Sequence, residues 1–202
     1  MLTWRKVKAT PRKYIRANRG HASQQLNDQM IKAGDSGVNI TIDPGVVGTG
    51  YAIWEPFCTV WGRAVAPKQA GAIYPDRSIR NWEHKIWDIE RKMLSNVVIP
   101  NRPILNVIIE LPQIFESNTG RICSSSGDII KLAIISGVIG ELFRVEGSRI
   151  LYVPVNTWKG QLSKNVITCR AKRSLAGKWD NKWQSHAIDA IALGLWMKGV
   201  LK

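Results

Sequence analysis

Residues 104–109, Ile-Leu-Asn-Val-Ile-Ile, form a near-continuous apolar run in mid-chain. A strand with one wet face alternates apolar and polar residues; a run without a polar face is expected of a strand covered on both sides, the setting of a parallel sheet with helices above and below. Ile150–Val155 reads the same way. The chain before this run supplies a different kind of strand. Val38-Asn-Ile-Thr-Ile-Asp43 alternates with period two, Pro44-Gly45 to Gly48 turns the chain, and Thr49–Trp54 and Val60–Val65 continue as strands, which predicts a three-stranded antiparallel meander.

Helices fill the intervals. Ile79, Trp82, Ile86, Ile89 and Met93 recur at spacings of three and four, predicting an amphipathic helix of about four turns. Ser124-Ser-Ser-Gly-Asp128 caps a long apolar segment that runs to Phe143, and a last helix extends from about Gln184 to Met197. The order βββαβαβα predicts an α/β domain over residues 38–202, with a mixed five-stranded sheet flanked by helices. Residues 1–37 read as a basic polar arm broken at Pro11, Gly20, Gly34 and Gly37, in which only Gln24 to Lys32 could hold a short helix.

With 202 residues, 45% of them hydrophobic, the chain can bury a core, and composition excludes a wholly disordered basic protein. No stretch reaches the roughly 18 apolar residues of a spanning helix, and no apolar signal core follows Met-Leu-Thr-Trp-Arg-Lys. The expectation is a soluble cytoplasmic protein, in a bacterium or a virus-infected host cell; organelle targeting by the Arg-rich arm is the alternative. Cys58, Cys123 and Cys169 are widely spaced without CxxC, so neither a disulfide framework nor a structural zinc site is encoded, and a reducing compartment is expected.

The net charge is +14, and it is unevenly spread: +7 over residues 1–32, −1 over 33–143, +7 over 144–182 and +1 over 183–202. A near-neutral body between two basic segments suits a protein that grips phosphates and keeps its carboxylates elsewhere, so nucleic acid is the natural partner. The plainer reading is a set of solvated lysines and arginines. Trp4, Trp158, Trp179 and Trp183 each adjoin a basic residue, an arrangement that suits base stacking beside phosphate contacts, whereas Trp82, Trp87 and Trp196 sit in helical patterns and read as core. In the second basic segment, Trp158, Lys159, Lys164, Arg170, Lys172 and Arg173 are the candidate DNA contacts.

Asp43 and Glu110 each close a strand and are followed by Pro-Gly and Leu-Pro. Asp43 could simply start an Asx-type turn and Glu110 could be solvated; if buried, each needs a compensating cation. His186 and Asp189 lie three apart, on one face of a helix that is otherwise apolar nearly all round, either as a hydrogen-bonded core pair or as part of a site. Asp43, Glu110, His186 and Asp189 together make three carboxylates and one imidazole, a set suited to Mg²⁺, with Mn²⁺ as substitute, rather than to zinc. Clustered carboxylates repel unless divalent cations neutralise them. Two ions about 3.5–4 Å apart would activate a water and stabilise the leaving oxygen of an in-line phosphoryl displacement.

These residues look like a known family. Ile42-Asp43-Pro44-Gly45, followed by Gly48 and Gly50-Tyr51, resembles the first motif, I-D-P-G-x-x-x-T-G, of the RuvC-type Holliday-junction resolvases in the ribonuclease H-like superfamily. Ile108-Ile109-Glu110 is similar to the second acidic motif, and His186-Ala-Ile-Asp189-Ala190 to the closing helix, where the family carries Asp or His three residues before its last Asp. The resemblance spans roughly residues 38–200. It implies a Mg²⁺-dependent, homodimeric endonuclease that resolves four-way and other branched DNA by paired phosphodiester hydrolysis, with a role in recombination and repair. It also implies that Lys159 stands at the family's catalytic-lysine position, with Lys164 a second candidate, and that Phe115 approaches the crossover bases. Phe115 sits two residues later than the simplest alignment puts it, the basic arm is an addition, and the lysine-bearing segment is short. Together these departures point to a virus-type member with broad branched-DNA range. A flap or packaging nuclease of the same fold and a catalytically silent branched-DNA binder are the rival readings. Nothing calls for an organic cofactor or a membrane.

Overall fold

The computed structural model describes residues 37–56, 65–97, 102–112, 127–160 and 162–201. Apart from Gly37, the basic arm lies outside them. Five strands, β1 (Val38–Asp43), β2 (Thr49–Trp54), β3 (Gln69–Ile73), β4 (Ile104–Leu111) and β5 (Arg149–Pro154), form one sheet in the order β3-β2-β1-β4-β5. The β1–β2 and β2–β3 pairs are antiparallel, and β1–β4 and β4–β5 are parallel. This is the mixed sheet expected from the pattern of alternating and continuous apolar runs. The third strand of the meander is Gln69–Ile73 rather than Val60–Val65: residues 60–64 lie outside the described residues, and Val65 is not in a strand.

Five helices complete the described part: α1 (Trp82–Val97), α2 (Asp128–Val145), α3 (Val155–Trp158), α4 (Lys164–Ser174) and α5 (Ser185–Met197). On one face of the sheet, Ile40, Ile42, Tyr51, Ile53, Val107 and Ile109 pack with Ile86, Ile89 and Met93 of α1 and Ile135, Ile139 and Phe143 of α2. On the other, Ala52, Trp54, Ile108, Leu151 and Val153 pack with α4 and α5. All six residues of β1 are buried, as a central strand between two helical layers requires.

Three departures concern the helices, the first being α4, which the sequence pattern does not predict. Trp87 is 64% exposed on the outer face of α1 and is not core. The start expected at Ser124–Asp128 is observed only from Gly127 on, where a left-handed residue (φ 71°) precedes the first turn of α2 without a side-chain cap. Among the described residues no helix is long and apolar enough to cross a membrane.

Helix α5 lies against β1 and β2 and is fixed there by a buried polar chain. Trp54 Nε1 donates to Thr41 Oγ1 at 2.8 Å, and Thr41 Oγ1 donates to the Ala190 carbonyl at 2.7 Å. Two glycines permit the approach: a Cβ on Gly50 would stand 2.0 Å from the His186 carbonyl oxygen, and one on Gly194 would stand 2.3 Å from the Trp54 ring. The turn of α5 that carries His186 and Asp189 is thereby held at the carboxyl ends of the parallel strands.

Candidate active site

In the parallel pair, Ile42 stands beside Ile109, so Asp43 and Glu110, the next residues of β1 and β4, emerge at one edge of the sheet. The carboxyl edge of parallel strands is where open α/β sheets place ligands. Asp43 is buried at 8% exposure. Its Oδ2 lies 3.1 Å from Nδ1 of His186, and a Cβ on Gly45 or Gly48 would stand 3.2 or 3.4 Å from the same imidazole. One turn further along α5, Asp189 is 5% exposed.

Strand β5 brings the cation. It ends at Pro154, and the chain turns at once into α3, closing with Lys159 N–H donating to the Val155 carbonyl at 2.9 Å. That turn sets Trp158 and Lys159 over the site. Trp158 Nε1 donates to Glu110 Oε2 at 3.0 Å, and Lys159 Nζ lies 3.2 Å from Asp189 Oδ1. Lys164, the first residue of α4, places its Nζ 2.9 Å from the other oxygen, Asp189 Oδ2.

The electrostatics follow from this crowding. Burial pushes the Glu110 carboxyl up to about 8, and the Asp43 charge adds to the effect; Lys159 and the Trp158 hydrogen bond pull the other way. Burial also raises Asp43, helped by Asp189 and opposed by the His186 hydrogen bond. Burial and mutual repulsion thus hold both carboxyls above their usual range, and a divalent cation at this edge would offset both. Oxygen donors from β1, β4 and α5 with one imidazole fit Mg²⁺ or Mn²⁺ in chemistry. Among the described residues, however, no three His, Cys, Asp or Glu side chains close into a ready metal shell. Both oxygens of Asp189 face lysine ammonium groups instead.

The residues singled out in the sequence thus fall into distinct environments. Asp43 and His186 are in contact; Glu110 is joined to Trp158; Asp189 is joined to Lys159 and Lys164. Trp158 is not an exposed stacking platform: its ring is 2% exposed, packed in the core with its N–H on Glu110. Trp179 and Trp183 are partly buried against the α5 core and meet edge to face at 5.3 Å. Lys172 and Arg173 are exposed on α4, and Arg170 is partly buried. Phe115 and Trp4 lie outside the described residues. One neighbour has no counterpart among the residues that the sequence pattern picks out. Tyr74, directly after β3 and 42% exposed, sets its ring edge-on to His186 at 6.3 Å. Its signal lay in the true position of β3.

No family model and no curated protein matches the chain. Solved structures do. Two structures of RuvC from Thermus thermophilus, one of them in complex with a Holliday junction substrate, superpose with a TM-score of 0.56 at 16% identity. They cover 79% of this chain and 91% and 92% of their own. The chain has the ribonuclease H-like fold of RuvC. Its sheet, three antiparallel strands continued by two parallel ones, is the mixed sheet of that fold. At this identity the likeness to RuvC concerns the fold; the chemistry rests on the side chains at the sheet edge.

Proposed function

We propose that the protein is a metal-dependent endonuclease that resolves Holliday junctions and other branched DNA by paired phosphodiester hydrolysis, acting as a homodimer. The observation that carries this reading is the gathering of Asp43, Glu110 and Asp189, from β1, β4 and α5, at one sheet edge beside His186 and Lys159. Asp43, Glu110, Asp189 and His186 would hold Mg²⁺, two ions per site, which when bound supplies water activation and stabilisation of the leaving oxygen. The protein's own groups do the rest. His186 orients Asp43 through Nδ1, Trp158 orients Glu110 through its indole N–H, and Lys159 offsets charge on the scissile phosphate. Lys172 and Arg173, exposed on α4, supply sequence-independent phosphate contacts.

The silent branched-DNA binder is favoured by one observation, the two ammonium groups on Asp189. Cleavage of a fixed four-way junction beside its separate linear arms, with Mg²⁺, wild type against Glu110→Gln, decides between the readings. A resolvase cuts the junction in paired fashion and Glu110→Gln does not. Equal cutting of junction, flap and linear duplex means a nuclease without junction preference, and binding without product means the silent binder.

A further inference from the structure

Two lysines from separate elements converge on one buried carboxylate. The Asp189 side chain is 7% exposed; Lys159, from the turn after α3, is 19% exposed, and Lys164, at the start of α4, is 44% exposed. Their heads take one oxygen each. Lys159 is confined by Trp158, over whose ring its ammonium lies 5.6 Å from the centroid. Lys164 differs. Its side chain is close to half exposed, its stem is a flexible four-carbon chain, and it sits in the first turn of α4, the end of a helix whose dipole disfavours a cation. Its own helix gives the ammonium no reason to stay; Asp189 does.

We propose that Lys164 is a displaceable counter-ion, which occupies Asp189 Oδ2 while the site lacks a divalent cation and transfers to a DNA phosphate when the site is loaded. The proposal rests on the metal-dependent reading above. An ammonium on that oxygen repels an incoming divalent cation and takes up one of its acceptor directions, so Lys164 lowers cation affinity in the DNA-free protein. A phosphodiester that draws Lys164 away raises that affinity, and by linkage the cation raises affinity for the phosphodiester. The protein would then load its cation on DNA rather than in free solution.

Calorimetric titration of the DNA-free full chain with Ca²⁺, an oxygen-seeking probe, tests this without any measurement of cleavage. Lys164→Gln is expected to bind Ca²⁺ about fivefold more tightly, the size of a partly exposed ion pair. Lys164→Arg, which keeps the charge, stays near wild type, and so does Lys178→Gln, which removes the same charge from an exposed position elsewhere. Asp189→Asn binds more weakly. Adding a four-way junction tightens Ca²⁺ binding more in wild type than in Lys164→Gln, by about the fivefold that the variant has already gained. If Asp189→Asn weakens binding while Lys164→Gln leaves it unchanged, the exchange is wrong and the metal reading stands. Equal tightening in Lys164→Gln and Lys178→Gln reduces the effect to net charge and also overturns the exchange. If Asp189→Asn has no effect, the metal reading falls and this inference falls with it.

Discussion

Nδ1 of His186, in the first turn of α5, lies 3.1 Å from Oδ2 of Asp43, the last residue of β1 and 143 positions earlier in the chain. The contact fixes both groups: the imidazole is held by the carboxylate, and the carboxylate by the imidazole. On the metal-dependent reading Asp43 would hold the cation, so Asp43→Asn should lose on the order of 100-fold or more in cleavage, beyond the cost of losing a residue that only orients a ligand. His186→Ala, which leaves Asp43 unoriented, should lose about 10–100-fold. His186→Asp restores an oxygen donor and should retain more activity than His186→Ala. Single-turnover cleavage of a four-way junction, with binding measured in parallel, reads all three; parental activity in Asp43→Asn removes Asp43 from the site.

Glu110 gives the site a pH signature. Its carboxyl stands at about 8, raised by burial and then by Asp43 from an ordinary 4.5. Between those values the folded state binds more protons than the unfolded state, so stability falls as pH rises from about 4.5 through about 8. The contribution is fully present below that window and lost above it. Thermal unfolding in chelator should show this decline, with a shallower slope in Glu110→Gln and in wild type with Mg²⁺, where the cation offsets the buried charge. A wild-type profile that is flat across the window contradicts the assignment.

Gly50 ties the sheet to α5. A Cβ there would meet the His186 carbonyl oxygen at 2.0 Å and its carbon at 2.2 Å, backbone atoms that cannot rotate aside. Gly50→Ala is expected to cost about 1–3 kcal/mol of stability, and to lower activity because the α5 turn bearing His186 and Asp189 is displaced. Gly137, in α2 with nothing within 4 Å of its added Cβ, is the contrast. Gly137→Ala should stabilise by about 0.5–1 kcal/mol. Urea unfolding compares the two, and equal midpoints would contradict the packing argument.

Asp43 and Glu110 are legible in the sequence because β1 and β4 are buried strands whose apolar runs meet a carboxylate at the last residue of β1 and at the last but one of β4. His186 and Asp189 are legible because an ionisable pair interrupts a helix that is buried along most of its length. Strand β3 is not, because it is an edge strand of small residues, Gln69-Ala-Gly-Ala-Ile, whose Gly71 leaves room for the Tyr51 ring beside it. Helix α4 is hidden for a similar reason: within it only Ile167 and Ala171 are buried, a stripe too narrow to stand out among lysines and arginines. Trp158 shows a different limit. Its neighbour Lys159 makes it resemble a stacking residue, and only the tertiary structure reveals that its ring fills the core and its N–H meets Glu110.

The basic segments should govern salt dependence rather than chemistry. If they neutralise six to ten phosphates, junction affinity falls by roughly 10³–10⁵ between 50 and 200 mM salt. Lys172 and Arg173 are exposed on α4 and remote from Asp189 in sequence, so Lys172→Gln with Arg173→Gln should lower the slope of log affinity against log salt by about 2, near 0.9 for each phosphate no longer neutralised. Removing residues 1–32, which carry eight basic side chains and one acidic, should flatten it further. The cleavage rate at saturating protein should remain close to wild type in the α4 variant, since the contacts of Asp43, Glu110 and Asp189 run to His186, Trp158, Lys159 and Lys164. A slope unchanged by the truncation would assign the arm to something other than DNA, while a lower saturated rate in the α4 variant would mean that α4 positions Lys164 as well as gripping phosphate.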